Sequence, residues 1–289
     1  FNWRDPTARK SAKVLVDFEV ATKIGLGYAT IPNITQTLIS TAVKAGYWNT
    51  IKGGVKLAID KDYRKEVSKS GLSNMSVFQM LMGLEPSDSF MGRAAHVLTK
   101  ASGFQGINKV NQYLAAAAGR EYITSLMNAR NSKIGWRRDW AEQSLKDLNI
   151  DAKSQRNLNG KEWVKANEQP TLEAMYQFSR DAQLQRNVLK DPIFANDPRF
   201  RPLFLFKRFG YKQFNWMREN LSQEFMRGNI MPILRLGVGG MFGAQFVTWS
   251  KKALNNILAG EDMTYDESRV FIPGLPPGTP LGTMGSDVN

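Results

Sequence analysis

The feature that most constrains the fold is a long, almost uncharged segment near the end of the chain, NIMPILRLGVGGMFGAQFVTWSKKAL. Between Asn229 and Ser250 the only charged residue is Arg235, and a helix over this stretch is apolar on all sides. Such a helix must bury most of its surface, in a protein core, an oligomer or a membrane. Gly239 and Gly243 form a small-xxx-small pair, which lets a neighbouring helix approach closely.

The segment just before it, DPRFRPLFLFKRFGYKQFNWMRENL, interleaves aromatic and basic residues. At 100° per residue its apolar positions form one stripe, which predicts burial of Leu203, Phe206, Gly210, Phe214, Met217, Leu221 and Phe225. Basic and polar residues lie on the opposite side, and Trp216 lies beside that polar side, at a position we call the aromatic shoulder. Three interpretations stay open. The segment is a core helix whose Arg and Lys side chains cover apolar surface with their aliphatic parts, a helix at a membrane interface, or a platform on which single-stranded nucleic acid stacks.

Two uncharged segments also suit a membrane. At the end of the first, residues 230–250, lie Trp249, Lys251 and Lys252, a combination typical of an anchor at a membrane interface. Residues 24–43 carry no charge over about 20 residues, roughly the span of a bilayer core, but Pro32 and several polar residues make a poor lipid-facing helix. The mean hydropathy of −0.37 argues against an ordinary integral membrane protein. A buried hairpin and an oligomer interface remain the alternatives.

We predict an all-α fold, either a multi-helix bundle or an extended helical assembly. Strong helix formers with apolar spacing recur, as in NKVNQYLAAAAGREYITSLMNARN, and no run shows sustained strand-like alternation. We expect an N-terminal helical region over 1–150, and a polar joint with short helices and a proline-rich loop over 151–201. Long amphipathic and apolar helices follow over 202–260, and an extended Pro/Gly-rich tail occupies 261–289.

The tail contains IPGLPPGTPLGTMG, with four prolines and four glycines in fourteen residues. Such a segment cannot be helical and is expected to run extended over a surface. The chain does not begin with methionine, and we expect it to be part of a longer or processed protein.

Known catalytic patterns are missing from the sequence. Cysteine is absent and His96 is the only histidine, which excludes thiol chemistry and multi-histidine metal sites. There is no Walker A, HExxH, G-x-S-x-G or calcium-loop pattern. We therefore expect no enzyme, with no catalytic, cofactor-binding or metal-binding residues. In GWRRDWAEQ, Trp136 and Trp140 favour a helix-packing anchor over a base-stacking platform.

The net charge of +13 points to an anionic partner, such as nucleic acid, a membrane surface or an acidic protein. Residues 199–235 contain eight Lys and Arg residues but only two Glu residues. The residues expected to contact DNA or another anionic surface are Arg201, Arg208, Lys212 and Arg218. The expected packing, oligomer or membrane interface comprises Phe206, Gly210, Phe214, Met217, Leu221, Gly239, Gly243 and Trp249.

Two stretches resemble regions of very large phage proteins. GLGYATIPNITQTLISTAVKAGYWNTIKG carries an N-x-T-Q pattern at residues 33–36. FANDPRFRPLFLFKRFGYKQFNWMRENL, followed by GNIMPILRLGVGGMFGAQFVTW, resembles a later segment of the same proteins, with a proline loop, an RPL-x-x-F-K-x-F pattern and a glycine-rich apolar helix. Order and spacing both fit, and the likeness extends over more than half of the chain.

The resemblance implies an internal virion protein of a tailed phage, also called an ejection protein. Such proteins are packed in the capsid around the portal, leave with or before the DNA, and help form a conduit across the host envelope. The implied partners are other copies, portal and core proteins, packaged DNA without sequence preference, and the host membrane after ejection. The family supplies no catalytic residue here. Two alternatives remain: a nucleic-acid-binding helical module, and a non-catalytic part of a larger virion-borne enzyme.

Overall fold

The computed structural model describes residues 30–70, 104–151, 153, 155–183 and 207–259, and a few single residues between 14 and 97. These ranges are almost entirely helical and contain no strand, so the all-α prediction is confirmed. The proline-rich loop and the tail lie outside the described residues. The helices are α1 (Thr30–Ala45), α2 (Tyr47–Ile59), α3 (Lys61–Ser68), α4 (Phe104–Ala129), α5 (Gly135–Asp147), α6 (Gly160–Ala166), α7 (Glu168–Ala182), α8 (Lys207–Met226) and α9 (Met231–Ala259).

Helix α4 is the centre of the fold, and α1, α2, α3, α5, α6 and α7 all pack against it. Its middle is made of small residues, and the four alanines 115–118 are fully buried. Small side chains let neighbouring backbones approach closely. At Gly53 of α2, a Cβ atom would lie 2.7 Å from the carbonyl carbon of Ala117, so only glycine fits this crossing.

The hydrophobic core draws on helices from both sides of residue 150. Ile123 and Leu126 of α4 pack with Leu145 of α5, Trp163 of α6 and Phe178 of α7. Helix α6 begins with a capping box, in which Asn159 and Glu162 satisfy each other's backbone N–H groups. Because this core is shared, the helices before and after residues 151–159 belong to one helical unit.

A buried ion cluster holds α2 and α3 against α4. Glu121, only 1% exposed, lies 2.7 Å from the Lys52 Nζ and 2.6 Å from the Lys56 Nζ. The Tyr63 hydroxyl donates to the same carboxylate at 3.2 Å. Burial alone would raise the pKa of Glu121, but the hydrogen bonds and positive charges of the two lysines together outweigh burial and hold the pKa below its ordinary value. The carboxylate is therefore ionised at neutral pH.

Helix α9 packs on α1 through Gly239 and Gly243, the pair that was predicted to allow a close helix crossing. A Cβ atom at Gly243 would overlap the Ile39 side chain, and one at Gly239 would lie 2.6 Å from the Tyr47 hydroxyl oxygen. The small-xxx-small pair thus lies at a close helix crossing, as its spacing indicates. The partner of α9 at this crossing is α1, which overlaps the uncharged segment 24–43.

Candidate functional site

The orientation of α8 differs from the periodicity prediction. Phe214 and Phe225 are 60% and 59% exposed, so the prediction that they are buried in the protomer is wrong. Met217 and Leu221 are half-buried. Trp216, expected on the shoulder beside the polar side, is instead buried at 6% exposure. The buried face of α8 is therefore rotated toward its polar residues.

Polar contacts at the end of α8 explain this rotation. The Trp140 indole N–H donates to Glu224 at 2.8 Å, and the Asn229 amide donates to the same oxygen at 2.6 Å. The Arg227 guanidinium donates to both oxygens of Asp147, at 2.7 and 3.2 Å. Polar groups removed from water need such partners. The face bearing Glu224 and Arg227 consequently turns inward, and Phe214 and Phe225 turn outward.

Trp140 is the packing anchor of the GWRRDWAEQ segment. Its ring lies edge-on to Tyr122, with 6.5 Å between the ring centroids. Trp136 is 72% exposed and makes no comparable anchor. The helix-packing interpretation therefore holds for one of the two tryptophans.

Helix α9 has two different long faces. One face docks on α1 through Gly239 and Gly243. The other carries large apolar side chains every three or four residues, and they are about half exposed or more. We call this set the α9 apolar face: Met231, Leu234, Val238, Phe242 and Phe246. Exposed apolar patches of this extent are characteristic of interaction surfaces.

A second exposed stripe follows α2, formed by Trp48, Ile51, Val55 and Ile59. Trp48 is 74% and Ile59 is 76% exposed. Helices α2 and α9 meet where the Tyr47 hydroxyl donates to the carbonyl of Arg235 at 2.8 Å. The α2 stripe therefore starts beside α9. This stripe was not predicted, although its i, i+3, i+7 spacing is readable from the sequence.

Arg235, the only charge between Asn229 and Ser250, has a structural role. Its guanidinium donates to the carbonyl of Val43 at 3.2 Å, in the last turn of α1. An arginine placed there satisfies a free carbonyl and complements the helix dipole. Burial lowers the pKa of Arg235, and the charge of Glu224 opposes this change.

Several predicted contact residues have no described side chain. Arg201 and Phe206 lie outside the described residues. Helix α8 includes Arg208, Gly210 and Lys212, and α9 includes Trp249, but the surroundings of these four residues are outside the described part of the structure. Arg218 is exposed on α8. The expected contact of these residues with DNA or an anionic surface stays a prediction.

No family model, curated protein or solved structure matches the chain. In the part of the chain that the structure describes, no helix is long and apolar enough to cross a bilayer. The same residues contain no group of His, Asp and Glu side chains that could hold a metal ion.

A large cleft separates the α8–α9 hairpin from α4, α5 and α7. Its volume is about 1110 Å³, and its aromatic lining consists of Tyr122, Trp140, Tyr176, Tyr211 and Trp216. Burial raises the pKa of Tyr122 far above its ordinary value, so its hydroxyl stays protonated. The cleft could not be predicted from local sequence patterns because its walls come from helices distant in the chain.

Proposed function

We propose that the protein is a structural internal virion protein of a tailed phage, packed near the portal and helping DNA delivery across the host envelope. The observation that carries the proposal is the α9 apolar face, which stays exposed in the protomer while a neighbouring face of α9 is docked on α1. In this function the α9 apolar face packs against other copies of the chain.

Burial of this face would supply the association energy. Covering one large apolar side chain completely contributes about 1.5–3 kcal/mol. Phe242 is 70% exposed and Leu234 is 55% exposed, so most of that contribution is still available in the protomer. Several such side chains together can offset the entropy lost on association.

The virion location is supported by the sequence resemblance and by charge. The N-x-T-Q pattern of α1 and the RPL-x-x-F-K-x-F pattern before α8 occur here in the order found in ejection proteins. A net charge of +13 suits a position beside packaged DNA, because attraction to phosphates requires no base sequence.

Quantitative mass spectrometry of purified phage particles, before and after triggered DNA release, tests the location. We expect peptides from across the chain in full particles and a loss of at least about tenfold from emptied ones, since ejection proteins leave with the DNA. Major capsid peptides serve as the internal control. Persistence in emptied particles would make the protein a fixed core or portal component, and absence from full particles would refute the proposal.

Self-association is expected to depend on Phe242. Replacing Phe242 with Asp places a charge on the α9 apolar face, and we expect the dissociation constant to rise at least about tenfold, equivalent to 1.4 kcal/mol. Sedimentation velocity over a range of protein concentrations measures this change. Gln143→Asp, which adds the same charge to an exposed position of α5, is the matched control.

A wild-type chain that stays monomeric at every concentration would contradict packing between copies. In that case flotation with anionic liposomes distinguishes a lipid surface as the occupant. Co-flotation of wild type and its loss in Phe242→Asp would assign the face to a membrane interface.

A further inference from the structure

The cleft between the α8–α9 hairpin and the core has the chemistry of a peptide-binding groove. Three tyrosines and two tryptophans line it, together with the amide side chains of Gln169, Gln177, Asn215, Asn220, Gln223 and Asn229. The half-buried ring of Tyr176 and the exposed ring of Tyr211 offer flat surfaces to prolines. Their hydroxyls and the amide side chains of Asn215 and Gln223 can donate to backbone carbonyls. Aromatic-lined grooves of this kind bind extended, proline-rich segments.

The charges around the cleft balance. The positive side chains are Lys44, Lys69, Arg180, Arg218 and Arg235, and the negative ones are Asp147, Glu173, Asp181, Glu219 and Glu224. Some are paired already, as Lys44 is with Asp181. A nucleic acid needs a surplus of positive charge, which this lining does not have. The cleft therefore suits an uncharged occupant.

This chain contains an uncharged, proline-rich segment. Residues 273–280, PGLPPGTP, hold two consecutive P-x-x-P patterns, and no charged residue occurs from Val270 to Ser286. Proline lacks a backbone N–H, so such a segment mainly offers carbonyl acceptors, which complement the donors in the cleft. Proline fixes φ, so a segment with four prolines in eight residues has less backbone entropy to lose on binding.

The length of α9 decides which copy of the segment can reach the cleft. Helix α9 has 29 residues, or about 43 Å at 1.5 Å per residue, and Pro232 near its start lines the cleft. For a chain of about 14 residues, the separation of Ala259 and Pro273 in sequence, the average random-coil span is only about 20 Å. Arg235 also lines the cleft and lies about 36 Å along α9 from Ala259, so the chain's own segment could reach this end of the cleft only at a span well above that average.

We propose that the cleft binds residues 273–280 of a neighbouring copy of the chain. Each copy then offers one cleft and one tail, so that the contact is head-to-tail and can link copies into a ring or a chain. This inference does not rest on the virion role, and crosslinking of the purified protein and mass spectrometry of particles can fail independently.

Disulfide trapping tests the proposal, because the full chain has no cysteine of its own. Gln223 is exposed and lines the cleft, and Leu275 lies between two prolines of the tail segment. The variant Gln223→Cys/Leu275→Cys is oxidised mildly and analysed by non-reducing electrophoresis and peptide mass spectrometry. We expect covalent dimers and higher species joined between residues 223 and 275.

Two control variants make the test specific. Ile59→Cys/Leu275→Cys places the first thiol on α2, away from the cleft, and should give at least about tenfold less product. Changing Pro273, Pro276, Pro277 and Pro280 to Ala in the trapping variant should reduce the product to a similar degree, with an unchanged circular dichroism spectrum. Equal trapping by the α2 control, a disulfide within one chain, or no 223–275 product would each overturn the proposal.

Discussion

Replacing Gly160 with alanine is expected to lower the free energy of unfolding by about 3 kcal/mol. Gly160 is the first residue of α6, and its N–H donates to the Asn128 side chain of α4 at 2.8 Å. A Cβ atom at this position would overlap the carbonyl oxygen of Thr124. Because that oxygen belongs to the backbone of the central helix, it cannot move aside as a side chain would. Urea unfolding followed by circular dichroism measures the loss.

Gly135→Ala is the matched control for this prediction. Gly135 is also the first residue of a helix, α5, but a Cβ atom there has no neighbour within 4 Å. We expect a change within about 0.5 kcal/mol, typical of a surface substitution. Similar losses in both variants would show that glycine is needed for helix initiation and not for the close approach of α6 to α4.

Replacing Glu121 with glutamine is expected to cost about 2–3 kcal/mol at pH 7. The substitution keeps the shape and an acceptor for the Tyr63 hydroxyl but removes the charge that pairs with Lys52 and Lys56. These lysine side chains are 34% and 35% exposed and can turn toward water, so the loss is smaller than for a fully buried pair. Glu173→Gln, at an exposed carboxylate of α7, should change stability by less than about 0.5 kcal/mol.

The effect of Glu121 must also depend on pH. Its folded-state pKa is lowered, so the unfolded chain takes up the proton more readily than the folded protein. The stabilisation is complete above the unfolded pKa of about 4.3 and is lost as pH falls through the folded pKa. Chemical unfolding between pH 7 and pH 3 should therefore show wild type and Glu121→Gln converging in acid. A difference independent of pH would contradict the role of the charge.

The position of α8 shows where sequence periodicity was insufficient. The helical periodicity places the most apolar side chains on one stripe, and on that basis Phe214 was predicted to be buried. The structure buries Trp216 instead and pairs Glu224 with Trp140, because buried polar groups need partners supplied by another helix. Those partners lie more than 80 residues away in the chain, so no local pattern indicates them.

The glycines of α9 show the opposite case. The spacing of Gly239 and Gly243 predicted a close helix crossing, and both glycines lie against α1. Two missing side chains on one helix face allow close approach to whichever helix packs there, so the sequence indicates the contact itself. The partner was left open between the helix within residues 24–43 and a neighbouring copy, and the structure shows the first of these.

Helical character and the close crossing at α9 follow from the sequence alone, because helix propensity and side-chain size are properties of nearby residues. The inward face of α8, the ion cluster at Glu121 and the aromatic cleft were decided only by the tertiary structure. Each of them joins groups from several helices, and the free energy of pairing or burying those groups depends on neighbours that are remote in the chain.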